Sequence, residues 1–495
     1  SLERMGERYA KGQGVPQDTN EAANWYRKAF NHYQTKADQG DSGAMYKLGE
    51  YYANGAAVTQ DSAKAFGWYL KAAGEGQPKA MNSVGMFYCE GVVVTQDLQE
   101  AACWYRKAAE AGNSDAMFNL AVCYANGEGV PKDDAEAFKW YCKAADALDP
   151  AAMYEVGMCY LQGKGIERDG SKGGQWIRKA ASFGNADAML SIAECLEHAR
   201  KDMTEAFPWY RKAFDAGNMK AAEPLYRCYK YGLGVEKDLE EAGRCLTAGV
   251  NSGDAESMFT YGVSERNENG EVSAPKIEWL IKAANAGHSE AMFYLGVYYR
   301  HGIGVKMNQA EAFKWSLMAA ENGIVLSMEQ VSCQYSRGEG VGKDNVKAAQ
   351  WCLMAAERGS VESMWAVGVR YANGDGVPKN EKEAFKWQLK ASENGNEAAM
   401  LNLAFYYQEG LGVTKNIEEA LKWLRKAADK GVVGAMRGVG LSYAVGKGVP
   451  QNDFLAYAWL CLAAAKGASD VKGLPDDVTE LRDAVRMRLS PEMVT

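Results

Sequence analysis

The chain has 495 residues, with 64 acidic against 56 basic side chains and a formal charge of -8 near pH 7. That balance excludes the basic stripe on which nucleic-acid binding depends, and no apolar run approaches the ~20 residues needed to cross a bilayer. Four histidines (His32, His198, His288 and His301) and eleven cysteines without a CxxC pair give no recognisable metal-ligand spacing.

Twelve of the thirteen tryptophans lie on one ladder: Trp25, Trp68, Trp104, Trp140, Trp176, Trp209, Trp279, Trp315, Trp351, Trp387, Trp423 and Trp459. The usual step is 36 residues, and Cys245 holds the missing rung. A fixed period of this length marks an array of stacked repeats, here about thirteen, rather than several globular domains.

The repeat from Ala116 to about Pro150 shows the elements. Helix A, from Ala116 to Tyr124, places apolar residues at three- and four-residue spacing. Gly127 stops it, and Gly127 to Pro131 forms a tight loop. Helix B runs from Ala135 to Ala145, with Asp133 or Asp134 as its expected cap. Recurrent alanines (Ala65, Ala101, Ala137, Ala312, Ala348) keep helix B thin where helix A crosses. Gly49, Gly85, Gly157, Gly296 and Gly368 serve the same closeness from helix A. Loop valines such as Val130 and Val341 anchor the turn. The tryptophans are expected to fill space between repeats, at about 3–5 kcal/mol each if buried.

The ladder slips three times. Trp25 to Trp68 is 43 residues, which predicts that Asn31 to Ala37 extends the first helix B. Trp176 to Trp209 is 33, and the loop glycines vanish within Glu194 to Arg200. Cys245 to Trp279 is 34, with a polar Ser264 to Gly270 in place of the usual loop. Residues 190–275 are therefore the least regular part and the first expected to open. After Gly467 the pattern stops. Val478, Leu481, Val485 and Leu489 then space a charged helix that reads as a C-terminal cap over 467–495.

The pattern Ala-Met-x-x-Leu-Gly-x-x-Tyr-x-x-Gly-x-Gly-Val, followed by Ala-x-x-Trp-Tyr-x-Lys-Ala-Ala, resembles the SEL-one-like repeats, cousins of the tetratricopeptide repeats, over about residues 1–466. The resemblance implies an all-α, right-handed superhelical α/α solenoid of helix-turn-helix repeats that acts as an adaptor for protein partners. One branch of that family is cysteine-rich, with disulfides between helix B and the next helix A. Here those positions hold alanine and its neighbours, as at Ala73 and Ala80, so neither its disulfides nor its suggested hydrolase activity carry over.

Nothing nominates a catalytic group, a metal or another cofactor. Cys195 and His198 form a lone Cys-x-x-His without a second pair. Cys123, Cys159, Cys195 and Cys228 share one register and read as small buried side chains. So do the helix-A methionines from Met45 to Met436, which read as core rather than a copper path. The unpaired cysteines point to a reducing, cytoplasmic compartment. The abrupt start at Ser1 leaves a periplasmic or secreted placement open.

Binding is then the expected function, with a protein or peptide segment lying in a concave groove lined by helix A. By analogy with tetratricopeptide repeats, the groove residues are Tyr46, Phe118 and Tyr154 in the first half, and Phe293, Arg300, His301, Arg337, Trp365, Asn373 and Phe405 in the second. Trp365 is the one tryptophan off the ladder, and aromatic and arginine side chains are typical anchors. A repeat-bearing enzyme regulator, a weak hydrolase and an end-to-end structural spacer are the alternatives. The oligomeric state is not specified by the residues.

Overall fold

The computed structural model describes residues 1–263, 274–470 and 476–489, and those residues are all-α: 27 α-helices and no strand among the described residues. Two compact bodies divide the chain, residues 1–252 and 253–495. Within each body a helix A packs along its own helix B, and that helix B packs against the next helix A. This is the layering of an α/α solenoid, in which each repeat buries its apolar face only on its neighbours.

The local chemistry explains why the elements recur. In the repeat read above, helix A is Ser114–Asn126 and helix B is Asp134–Asp146. Asp133 is the cap, its Oδ1 accepting from the backbone N–H of Ala135 and of Glu136 at 3.0 Å each. Gly127 closes helix A in the left-handed region at φ 79°. Gly129 has a stricter role. A Cβ there would lie 1.9 Å from the Leu98 carbonyl oxygen, so the loop can rest on the preceding helix B only without a side chain.

The small residues keep the helices close, as expected. Ala65, Ala101, Ala137, Ala312 and Ala348 are all buried. A Cβ on Gly85 would sit 2.7 Å from the Tyr105 ring, and Gly49 stands in the same relation to Tyr69. The side chain after the ladder tryptophan therefore lies directly on the helix-A backbone. A second contact joins successive repeats. The phenylalanine two residues before the tryptophan meets a tyrosine of the next helix A edge-on, in Phe66–Tyr88, Phe138–Tyr160, Phe207–Tyr229, Phe313–Tyr335 and Phe385–Tyr407. The ring centroids are 5.1–5.9 Å apart and the planes cross at 80–90°.

The tryptophans pack between repeats as expected, but most are less buried than a full filling role requires. Trp315, Trp387 and Trp423 are buried, but the other nine on the ladder are only half-buried. Nine of the twelve hold the ammonium of the lysine three residues on, 3.6–4.5 Å from the ring centroid. Trp68, Trp104, Trp140, Trp176 and Trp209 pack on the core of the preceding repeat, and a lysine stem roofs each ring. The cost expected for losing a buried ring therefore applies to Trp315, Trp387 and Trp423 only.

The irregular places have physical form. The first helix B, Thr19–Asp38, has 20 residues against the usual 13, which places the extension in Asn31 to Ala37. Helix Ala186–Arg200 runs two residues long and ends on Lys201, a non-glycine at φ 55°, before Met203–Asp215 begins. Helix Ala255–Gly262 has only 8 residues. The polar stretch Ser264 to Gly270 lies outside the described residues. Helix Asp453–Asp470 continues past Gly467, and Asp476–Arg486 follows with Val478 and Val485 buried on the last repeat.

Candidate functional site

The ten expected groove residues all sit on A helices, in four registers. Tyr46, Phe118, Tyr154, Phe293 and Trp365 share the second position after the opening alanine or serine, and every one is half-buried. In the first body their rings are engaged at home. Tyr46 lies 5.5 Å from Tyr69 and Phe118 lies 5.6 Å from Tyr141. Tyr154 shares a 3.1 Å hydrogen bond with Ser191 of the next helix A. Burial, and secondarily Glu50, push the Tyr46 hydroxyl up to about 12.

In the second body the residues come from four A helices: Ser289–His301, Glu397–Glu409 and, between them, Val325–Arg337 and Val361–Asn373. Phe293 meets Tyr294 edge-on at 5.6 Å. Arg300 and Arg337 converge on one carboxylate, Glu339, at 3.1 and 3.5 Å. Trp365 is half-buried, and its indole N–H is buried without a partner among the described residues. Its carbonyl accepts from Gln388 Nε2 at 3.2 Å. His301, Arg337, Asn373 and Phe405 are exposed, Phe405 by 55% of its surface.

The A helices are also tied to one another by polar rungs that periodicity alone did not single out. Asn119 Nδ2 donates to Asn82 Oδ1 at 3.0 Å. Arg370 Nη2 donates to Ser336 Oγ at 2.6 Å, and its Nη1 pairs with Asp375 at 3.1 Å. Asn396 Nδ2 donates to Glu362 at 3.0 Å. The partners are 34 to 37 residues apart, so a search for complementary polar residues one period apart would have found them.

The thiols are all unpaired. Cys123 and Cys159 are buried and pushed up to about 11, and Cys228 up to about 12, by burial. Cys195, in the same register, is instead exposed. His198 places Nδ1 3.1 Å from the Glu194 carbonyl. Among the described residues no group of three or more His, Cys, Asp or Glu is placed to hold a metal. No described helix is long and apolar enough to cross a membrane.

Paired antiparallel helices, glycine turns and a ladder of tryptophans define a helical-repeat protein of the α/α-solenoid class. The Sel1 repeat model matches thirteen segments between residues 1 and 467, including 42–77, 78–113, 114–147 and 361–396, so the chain belongs to the Sel1 repeat family. Proteins of this family generally serve as protein-interaction scaffolds. The chain is 27% identical to c5321, a protective antigen of uropathogenic Escherichia coli strains displaying an SLR fold, with a TM-score of 0.58 over 94% of this chain and 92% of that one. It is 28% identical to DAP3-binding cell death enhancer 1 of Rattus norvegicus, over 23% of this chain and 30% of that protein. It is 30% identical to chitin synthase regulator SKT5 of Saccharomyces cerevisiae, over 23% of this chain and 17% of that protein. The similarity thus spans less than a third of either relative.

Proposed function

We propose that this protein is a non-catalytic adaptor that holds a segment of a partner protein in a groove lined by its A helices, with the second body as the principal site. The observation that carries this reading is Phe405. Its ring is more than half exposed, on an A helix, in the register one turn beyond that of Trp365. Exposed His301 and Arg337 stand at the ends of two other A helices of that body. Accessible aromatic and arginine side chains on one set of A helices are the composition of a binding anchor. The relatives named for binding and for regulation support the same direction. The chain's net negative charge favours a protein over a nucleic acid. We take Asp476–Arg486 as the closing cap of the array, since its apolar side buries Val478 and Val485, and we place the protein in a reducing, cytoplasmic compartment on its unpaired thiols.

The test is affinity capture from native lysate, followed by direct titration of the captured protein. Wild type is compared with a Trp365→Ala, Phe293→Ala double variant and with Phe405→Ala, whose exposed position leaves folding intact. A partner held by wild type and weakened at least about tenfold in both variants supports the reading. Equal binding by all three, with melting temperatures unchanged, sinks the assignment to this face.

A further inference from the structure

The repeat built on Trp176 lacks two rings that other repeats carry. Five phenylalanine–tyrosine pairs join helix B to the next helix A elsewhere in the array. In the same registers this repeat has Gly174 in place of the phenylalanine and Leu196 in place of the tyrosine. The neighbours have not closed the gap: a Cβ on Gly174 would meet no atom within 4 Å. A cavity of about 550 Å³ lies there, bordered by Gly174, Leu196, Ile177, Met158, Trp209 and Arg178. Ser191, Cys195 and Glu205 join Arg178 in a wall that is otherwise apolar. That volume falls in the range of small-ligand sites, and an apolar wall with a few polar groups is their usual composition.

The group that serves the missing hydroxyl is still present. In three other repeats the arginine two residues after the ladder tryptophan donates to the tyrosine that stands in the register of Leu196. Arg106 Nη2 reaches the Tyr124 hydroxyl at 2.9 Å, Arg211 Nη1 reaches that of Tyr229 at 3.4 Å, and Arg425 reaches that of Tyr443. Arg178 is the equivalent arginine here. Opposite Leu196 it takes no hydrogen bond or ion pair among the described residues, and it is exposed at the cavity rim.

We propose that this cavity binds a p-hydroxyphenyl group, with its ring in the space of the absent pair and its hydroxyl accepting from Arg178. The shared chemistry is a para-substituted phenol, whether free or as the tyrosyl side chain of a peptide. The site lies in the first body and does not rest on the partner face of the second. Apolar contact with Ile177, Met158 and Trp209 would give affinity, and the guanidinium would select phenol over plain arene.

The experiment is calorimetric titration of the full chain with p-cresol, with toluene, and with an end-blocked Gly-Tyr-Gly peptide. One saturable p-cresol site, preferred about tenfold over toluene, is expected. Arg178→Met, an exposed change that leaves the fold intact, should erase that preference. The Gly174→Phe, Leu196→Tyr double variant restores the ring pair of the other repeats, so it should melt higher and bind neither arene. No saturable p-cresol binding, undiminished binding by the filled variant, or a preference that survives Arg178→Met would each overturn the proposal. Binding of the peptide at least as tightly as p-cresol assigns a polypeptide ligand, and binding of p-cresol alone assigns a free phenol.

Discussion

Glu155 is the third residue after the opening Ala152 of its helix A, half-buried, where most repeats place a shorter or uncharged side chain. Burial raises its carboxyl above the ordinary 4.5, Lys164 pulls it back and Asp187 pushes it further up. A carboxyl whose folded pKa exceeds its unfolded one destabilises the fold wherever it is charged, and this cost fades as pH falls through the folded pKa and is gone below the unfolded one. Glu155→Gln should therefore melt above wild type at pH 7, and the two should converge as pH falls through the ordinary carboxylate value. Thermal melts of both proteins at pH 7 and pH 4 decide it, since a gap of the same size at both would show that packing, not charge, sets the difference. Charge at such a site was readable in the sequence. Its burial was not, because the residues that cover it lie in other elements.

At the scale of the element, the close approach of helix A to helix B rests on the side chain after each ladder tryptophan. A methyl group at Gly85 would have to share space with the Tyr105 ring, which is 4% exposed and cannot swing out without opening the core. Overpacking of this kind typically costs about 1–3 kcal/mol. Gly85→Ala should accordingly lower the denaturation midpoint, and the Gly85→Ala, Tyr105→Leu pair should recover part of the loss by vacating the ring. A recovery of zero would mean that the glycine is needed for its backbone alone. Helix pairs, their caps and the glycine turns were legible in the sequence because each is set within one period. The half-exposure of the tryptophans was not, although Lys107 after Trp104 and Lys143 after Trp140 signal it. A lysine one turn from a ring is ambiguous until the ring's outer face is seen to lack a protein neighbour. The candidate face was less legible still. Spacing puts Tyr46 and Phe405 on A helices alike, but only packing shows that the first ring rests on Tyr69 while the second stands free.

Over the whole molecule, stability is a sum of repeat terms and nearest-neighbour interfaces, so the array is weakest where helices are short and faces small. Helices Ala255–Gly262 and Ile277–Asn285 have 8 and 9 residues against the usual 13, and Ala222–Tyr231 is preceded by a 3-10 turn, Met219–Ala221, in place of its first α-helical turn. Each lost turn removes about four backbone hydrogen bonds and one stripe of apolar contact. The same stretch holds Glu223, a buried carboxylate paired with Arg227 at 3.0 Å, in the register where other repeats carry Tyr46, Phe118 and Trp365. Arg227 is half-buried, and an ion pair drawn partly out of water adds little net stability. Sub-global opening should therefore begin in helices Ala255–Gly262 and Ile277–Asn285, with the repeats of 290–460 retaining their protection after these amides have exchanged. Native-state hydrogen exchange read by mass spectrometry resolves the two regions. Amides of Ala255–Gly262 and Ile277–Asn285 that exchange as slowly as those of Ser289–His301 would mean that the neighbouring repeats make up for the short helices, and that the array unfolds as one cooperative block.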